Sequence, residues 1–321
     1  MSGGGVVALC GGIGGAKLAL GLSLALPETA LSVVVNTGDD FEHLGLKICP
    51  DLDTVLYTLA SLSNPDTGWG RRDETWTFMA ALESLGGETW FQLGDGDLAL
   101  HVERTRRLGL GEPLSAIMAE VAKRLGVATR ILPMSNDPVQ TVVETDQGTL
   151  AFQDYFVARK CAPKVQAIGF QGAATAAAQT DALKALASPE TEAIVICPSN
   201  PYLSVDPMLA LPGLRAALAA APAPVIAATP IIGGAAVKGP AAKIMTELGL
   251  EVSPVTVAQH YHGLIDGFIL DAKDKALANQ INTPTLAVNT FISTQAEKRL
   301  LAETVLSFAR SLRNAPGRVA S

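Results

Sequence analysis

The chain of 321 residues is poor in charge and in aromatic side chains: 17% of its residues are charged and 5% are Phe, Trp or Tyr. With 48% hydrophobic residues, that scarcity excludes intrinsic disorder and leaves apolar surface for a large core. No block of Lys and Arg occurs and the net charge is −7, which argues against a nucleic-acid polymer as partner. A small phosphorylated ligand stays compatible, because local loops and a metal ion can neutralise it. Cys10, Cys49, Cys161 and Cys197 are far apart and form no Cys-x-x-Cys pair, so buried free thiols in a reducing compartment are expected. No basic-plus-apolar leader precedes Val6. The apolar stretch from Leu209 to Val237 is interrupted by Pro212, Pro222, Pro224 and Pro230, so no membrane span is expected and a cytoplasmic location is. No Ser/His/Asp or Cys/His arrangement suggests a covalent intermediate.

What is present begins with Val6-Val7-Ala8-Leu9-Cys10, which runs directly into Gly11, Gly12, Gly14, Gly15 and Lys17 and then into an apolar helix from Ala16 to Leu26. Strand, glycine turn and helix N-terminus form a phosphate cradle, in which glycines let the backbone approach and first-turn N–H groups point at the anion. The third glycine of a dinucleotide fingerprint is missing, and so is the Gly-Lys-Ser/Thr of a Walker loop. A plain βα turn is the alternative.

Further short apolar runs at Ser32–Val35, Ala193–Ile196, Val225–Ala228, Gly267–Leu270 and Thr285–Val288 alternate with helical stretches at Pro113–Leu125, Thr175–Ala187 and Leu211–Ala221. This pattern predicts an α/β fold, a Rossmann-like, mostly parallel sheet with helices on both faces. The last helix opens at Thr294 with the capping box Thr294-Gln-Ala-Glu297 and runs to about Leu312; the stretch after Arg313 reads as a tail. Residues 51–159 read differently: helices at Val55–Leu62 and Thr75–Leu85, then alternating residues from Thr141 to Phe156 that turn at Asp146-Gln-Gly148. They are expected to form a largely helical insertion, or lid, on a core made of residues 1–50 and 160–321.

Ligands of such sheets bind beyond the carboxyl ends of the strands, so the residues there carry most weight. Asn36-Thr-Gly-Asp39-Asp40 follows the second strand, and Asp51 and Asp53 follow closely; two acidic pairs beside a phosphate loop suit magnesium. Helix capping by Asp51 and Asp53 is the alternative. Leu93-Gly-Asp95-Gly-Asp97, followed by His101 and Arg104, is a substrate loop or a capped turn. Pro198-Ser199-Asn200-Pro201 ends the central strand and suits a base, ribose or phosphate contact, or else an Asx-type turn. Thr229-Pro-Ile-Ile-Gly233-Gly234 adds a second glycine loop, with Lys238 and Lys243 as further phosphate partners. His260 and His262 are expected on one face of an extended segment, without enough ligands for a metal.

Together these segments resemble the 2-phospho-L-lactate transferases of coenzyme F420 biosynthesis. The resemblance rests on Gly11-Gly-Ile-Gly-Gly-Ala-Lys17, Val35-Asn-Thr-Gly-Asp-Asp40, Cys49-Pro-Asp-Leu-Asp-Thr54, Gly68-Trp-Gly-Arg-Arg-Asp-Glu-Thr-Trp76, Leu93-Gly-Asp-Gly-Asp97, Leu132-Pro-Met-Ser-Asn-Asp-Pro138, Phe152-Gln-Asp154, Pro198-Ser-Asn-Pro201 and Pro230-Ile-Ile-Gly-Gly234. It spans about residues 5–265 and looks more like bacterial members than archaeal ones. It implies transfer of a phospho-acid group to the deazaflavin Fo from a guanosine diphosphate ester of lactate, phosphoenolpyruvate or 3-phosphoglycerate. GMP leaves and F420-0 or its dehydro form is made, with Mg2+ required and a homodimer as the assembly. It also implies Asp39 and Asp53 as catalytic, with Asp39, Asp40, Asp51 and Asp53 around the metal. Gly11, Gly12, Gly14, Gly15, Lys17, Ser199, Asn200, Pro201 and Gly233 fall on the nucleotide side. Asp53, Thr54, Trp76, Gln92 and Asp95 fall on the acceptor side, Gln92 standing where archaeal members are expected to carry a lysine. A nucleotide-sugar-binding regulatory protein of the same fold is the first alternative, and an NAD-dependent oxidoreductase the second.

Overall fold

The computed structural model describes residues 5–314. Strand β1 (Gly5–Cys10) leads into α1 (Gly12–Ala25) and then β2 (Leu31–Val35). A short antiparallel hairpin, β3 (Phe41–His43) and β4 (Leu46–Ile48), precedes α2 (Pro50–Leu59). Helices α3 (Thr77–Ser84), α4 (Asp95–Gly109) and α5 (Leu114–Arg124) follow. Then come β5 (Arg130–Pro133) and an antiparallel sheet of β6 (Gln140–Thr145), β7 (Gly148–Ala151) and β8 (Val165–Gln171), in the order β7-β6-β8. The remainder alternates: α6 (Thr180–Ala187), β9 (Thr191–Ile196), α7 (Asp206–Leu209), α8 (Leu214–Ala219) and β10 (Val225–Ala228). A small hairpin, β11 (Ile231–Ile232) and β12 (Ala235–Ala236), precedes α9 (Ala241–Glu247) and α10 (Pro254–His260). Strands β13 (Gly267–Asp271) and β14 (Thr285–Val288) and helix α11 (Gln295–Arg313) complete the described chain.

Seven strands form one sheet in the order β14-β13-β10-β9-β1-β2-β5, every pair parallel. Alternate residues of β1 enter opposite cores. Val6, Ala8 and Cys10 pack with Leu18, Leu22, Leu52, Leu56 and Val305 from α1, α2 and α11. Val7 and Leu9 pack with Leu186, Leu214, Met245 and Val257 from the other face, where the small sheet adds Val143 and Val165. Burial on both faces explains why the strands read as continuous apolar runs.

The expected strands are all present, as are the hairpin closing at Thr145 and Gly148 and the capping box at Thr294 and Glu297. Four differences have physical causes. Residues 51–159 are not wholly an insertion: β5 pairs in parallel with β2, and α2 packs on α1 within the core. Helix α2 starts at Pro50, not Val55, because proline suits a first turn that needs no N–H there. Helix α6 starts at Thr180, not Thr175, where the Gln179 side chain accepts from the Ala182 N–H after Ser135 and Ala178 form a bridge. His260 ends α10, and its imidazole bonds Asp206 at 2.7 Å; it does not share an extended face with His262. Of the stretch after Arg313, residues 315–321 lie outside the described residues. No helix among the described residues is long and apolar enough to cross a membrane.

Candidate active site

From β1 the chain moves to β2 and β5 on one side, while β9, β10, β13 and β14 extend the sheet on the other. The loops after β1 and β9 therefore face each other at the switch point, where open α/β sheets bind ligands. The Gly11 N–H donates to Ser199 Oγ at 3.0 Å across this junction. Gly12 has φ +63°, a left-handed turn that glycine adopts without strain, and its N–H donates to Asp51 Oδ1 at 2.7 Å. At Gly14 a Cβ would lie 2.5 Å from the Pro198 carbonyl oxygen, so this glycine permits the close approach of the second loop. Asn200 Oδ1 accepts from the Tyr202 and Leu203 N–H groups and starts the π-helical turn Pro201–Val205. Its Nδ2 is buried and has no acceptor. A buried donor left so costs about 1–3 kcal/mol, which marks a place for a ligand acceptor.

The acids divide into two groups. Asn36, at the end of β2, donates from Nδ2 to Asp51 Oδ2 at 3.0 Å and accepts the Gly38 N–H on Oδ1. Asp39 and Asp40 each keep a buried Oδ1 without a hydrogen bond. Burial, then the charge of Asp51, pushes the Asp39 carboxyl well above the usual range. Burial pushes Asp51 up to about 6 despite hydrogen bonds from Asn36 and Gly12. Asp40 is raised by burial, with Lys47 at 3.4 Å opposing. Three buried carboxyls are held at this electrostatic cost, two with open oxygens, but among the described residues the group whose ligand atoms lie within 4.8 Å of one another is Asp53, Asp97 and His101.

Asp53 belongs elsewhere. Its two oxygens accept from Nη1 and Nη2 of Arg104 at 2.6 and 3.0 Å, and Arg104 is fully buried. The guanidinium also donates to the Lys47 carbonyl and to His101 Nδ1, the latter at 2.8 Å. Because a guanidinium only donates, His101 Nδ1 accepts, and its Nε2–H faces Asp97 Oδ2 at 3.3 Å. Tyr57 Oη donates to Asp97 Oδ1 at 2.6 Å. Asp53, Asp97 and His101 bring ligand atoms within 4.8 Å of one another, yet Arg104 already supplies the cation there. Asp53, expected at the metal and on the acceptor side, is thus the counter-charge of a buried guanidinium that a residue 51 positions away provides.

On the acceptor side Thr54 is buried on α2, while Trp76 is 46% exposed just before α3. Gln92 is exposed and donates to the Thr89 carbonyl. Asp95 accepts from Thr75 Oγ1 and from the Thr77 and Phe78 N–H groups and so caps α3. Glu74 returns the exchange by accepting the Gly96 N–H at the start of α4. On the nucleotide side Lys17 Nζ donates to the Ile292 carbonyl, and burial followed by Lys238 lowers its pKa. Gly233 sits in the β11–β12 turn and donates to Asp274. Lys238 reaches the Thr67 carbonyl, whereas Lys243 is held by Glu247 and the Pro163 carbonyl away from the glycine loop. Tyr57 and Lys47 escaped the sequence reading, being one tyrosine and one lysine in ordinary surroundings.

The fold and the site together define a class: parallel α/β proteins with a glycine-rich loop and a buried acidic cluster at the switch point. Within it, the chain belongs to the 2-phospho-L-lactate transferase family, whose model (2-phospho-L-lactate transferase CofD) matches residues 6–303. A phosphoenolpyruvate transferase from Streptomyces griseus is 44% identical over 86% of this chain and 88% of its own length. Another, from Kitasatospora aureofaciens, is 42% identical over 96% of this chain and 99% of its own. A 2-phospho-L-lactate transferase from Methanosarcina mazei is 36% identical over 94% and 99%. The crystal structure of a UPF0052-family protein from Bacillus halodurans superposes with a TM-score of 0.61 at 19% identity, covering 95% of this chain and 99% of that one, and supports the fold alone.

Proposed function

We propose that this chain moves a phospho-acid group from a guanosine diphosphate ester to the terminal ribityl hydroxyl of the deazaflavin Fo. GMP is released and the phosphodiester F420-0, or its dehydro form, is made. Family membership across residues 6–303 supports the reaction class. Phosphoenolpyruvyl is the favoured group, since relatives named for it reach 44% and 42% identity against 36% for the phospholactyl one.

The single observation that carries the reading at residue level is the buried carboxyl set beside the glycine loop. Asp39, Asp40 and Asp51 would hold Mg2+, which when bound neutralises charge on the diphosphate. The glycine loop and first-turn amides of α1 hold the phosphates, and Asn200 Nδ2 donates to the nucleotide. Thr54 and Trp76 line the acceptor side. The acceptor oxygen bonds to phosphorus as the bond from phosphorus to the GMP oxygen breaks, GMP departs, and the hydroxyl proton passes to solvent. No covalent intermediate on the protein is needed. A homodimer, checked by light scattering, belongs to the same reading.

Thermal-shift titration with GDP, a UDP-sugar and NAD, each with Mg2+, tests it. Stabilisation by GDP alone is the expected result. Stabilisation by the UDP-sugar alone would mean a regulatory binding protein, and by NAD alone an oxidoreductase.

A further inference from the structure

Among the described residues, the lysines that pair with carboxylates are Lys47, Lys184 and Lys243. Lys17 and Lys238 do not, although both stand at the glycine loop. Ile13 and Lys17 are four residues apart on α1, so they share one face of its first turns. Lys17 is half-buried there, and its Nζ donates at 3.1 Å to the carbonyl of Ile292, in the loop after β14. Lys238 comes from the loop after β12, and its Nζ donates to the Thr67 carbonyl at 2.9 Å. Gly68 fixes where that ammonium lies. It takes a left-handed turn at φ +79°, and a Cβ on it would sit 3.0 Å from Ile13 Cγ2 and 3.1 Å from Lys238 Nζ. The Lys238 ammonium therefore stands beside Ile13, on the face of α1 that carries Lys17. Burial lowers the Lys17 pKa, and the charges of Lys238 and Lys298 lower it further. Like charges are thus gathered without a carboxylate between them, in a chain whose net charge is −7.

We propose that Lys17 and Lys238 form the binding site for the carboxylate of the acid that the donor carries. The inference rests on the reading that the donor is a guanosine diphosphate ester, and it names the part of that ester which the nucleotide side leaves unmet. In that reading loop amides and a cation hold the diphosphate, and the acid's carboxylate is the remaining anion. Each ammonium has three N–H donors and uses one on a backbone carbonyl, so two remain on each. A carboxylate accepts from both ammoniums at once and removes the repulsion between them. The lactate, phosphoenolpyruvate and 3-phosphoglycerate esters all bear this group, so the site selects acids over neutral esters and does not choose among the three.

The test uses isothermal calorimetry, with Mg2+ and without Fo, to measure how the full chain binds two esters of GDP. One is the phosphoenolpyruvate ester. The other is the ethyl ester, the same diphosphate without a carboxylate. Wild type is compared with Lys238→Gln and Lys17→Gln. Lys238 is exposed, so its variant carries the test if Lys17→Gln does not fold. Each variant is expected to raise the dissociation constant of the phosphoenolpyruvate ester about tenfold and that of the ethyl ester less than about twofold, as the loss of a hydrogen bond between charged groups implies. Equal losses on the two esters would overturn the inference and give the lysines to the diphosphate. Unchanged binding of the phosphoenolpyruvate ester by either folded variant would overturn it as well, and for Lys238 would leave only a strut under the 64–70 turn. A wild-type chain that binds neither ester would overturn the donor reading itself, and the inference with it.

Discussion

Asn200 divides one amide between fold and ligand: Oδ1 caps the turn at Pro201–Val205, and Nδ2 is left without an acceptor. Asn200→Asp keeps the capping oxygen and loses the donor, so it should fold normally and bind GDP worse. Asn200→Ala loses both. Each should weaken GDP by about 1–3 kcal/mol while Fo affinity changes little, and isothermal calorimetry with both ligands checks this. Equal losses for both ligands would remove Asn200 from the nucleotide side. The two acidic groups make opposite predictions. Asp39→Asn removes a carboxylate whose Oδ1 has no hydrogen bond, so stability should hold while turnover in Mg2+ falls by roughly a hundredfold or more. Asp53→Asn leaves a buried guanidinium without its charge, a change worth about 3–5 kcal/mol against folding. Thermal melts of the two variants separate the roles: an unchanged melting temperature for Asp53→Asn would return it to the metal.

At the scale of elements, α11 makes a prediction about pH. Thr294 and Glu297 form a capping box, and hydrogen bonds from the Thr294 and Ser293 backbone lower the Glu297 carboxyl to about 2. A folded pKa below the unfolded one gives stability that is present above about 4.5 and lost as pH falls toward 2. Glu297→Ala should therefore lower the melting temperature at neutral pH, and the gap to wild type should narrow as pH drops through 4 to 2. A constant gap would assign the effect to something other than the ionised cap. Elements were legible where a local rule decided them. Both-face burial announced β1, β9 and β10, and Thr294 announced α11. β5 has only four residues, and its place beside β2 is decided by a partner about a hundred residues away, so local pattern could not assign it to the core. The loop of Asp95 read equally as a substrate loop or a capped turn, and its three bonds to residues 75–78 show that the capping is made.

For the molecule as a whole, the part of the site that was readable lies at strand ends. The glycine loop, Asn36–Asp40 and Ser199–Asn200 follow β1, β2 and β9, and the sheet order brings those three ends together. The division of the acids was not readable, because Asp51 and Asp53 sit two apart on one helical turn and differ only in what other segments bring to them. Helices α3 and α4, within residues 51–159, contribute no strand to the parallel sheet, and under the proposed function they are the elements that would keep water from the donor phosphorus. The most direct measurement of the central claim incubates the chain with Mg2+ and the guanylylated phosphoenolpyruvate ester, with and without Fo, and follows GMP and deazaflavin products by chromatography. GMP should appear in step with a new deazaflavin phosphodiester when Fo is present, and not at all when it is absent. GMP released at the same rate without Fo would contradict transfer and describe a hydrolase.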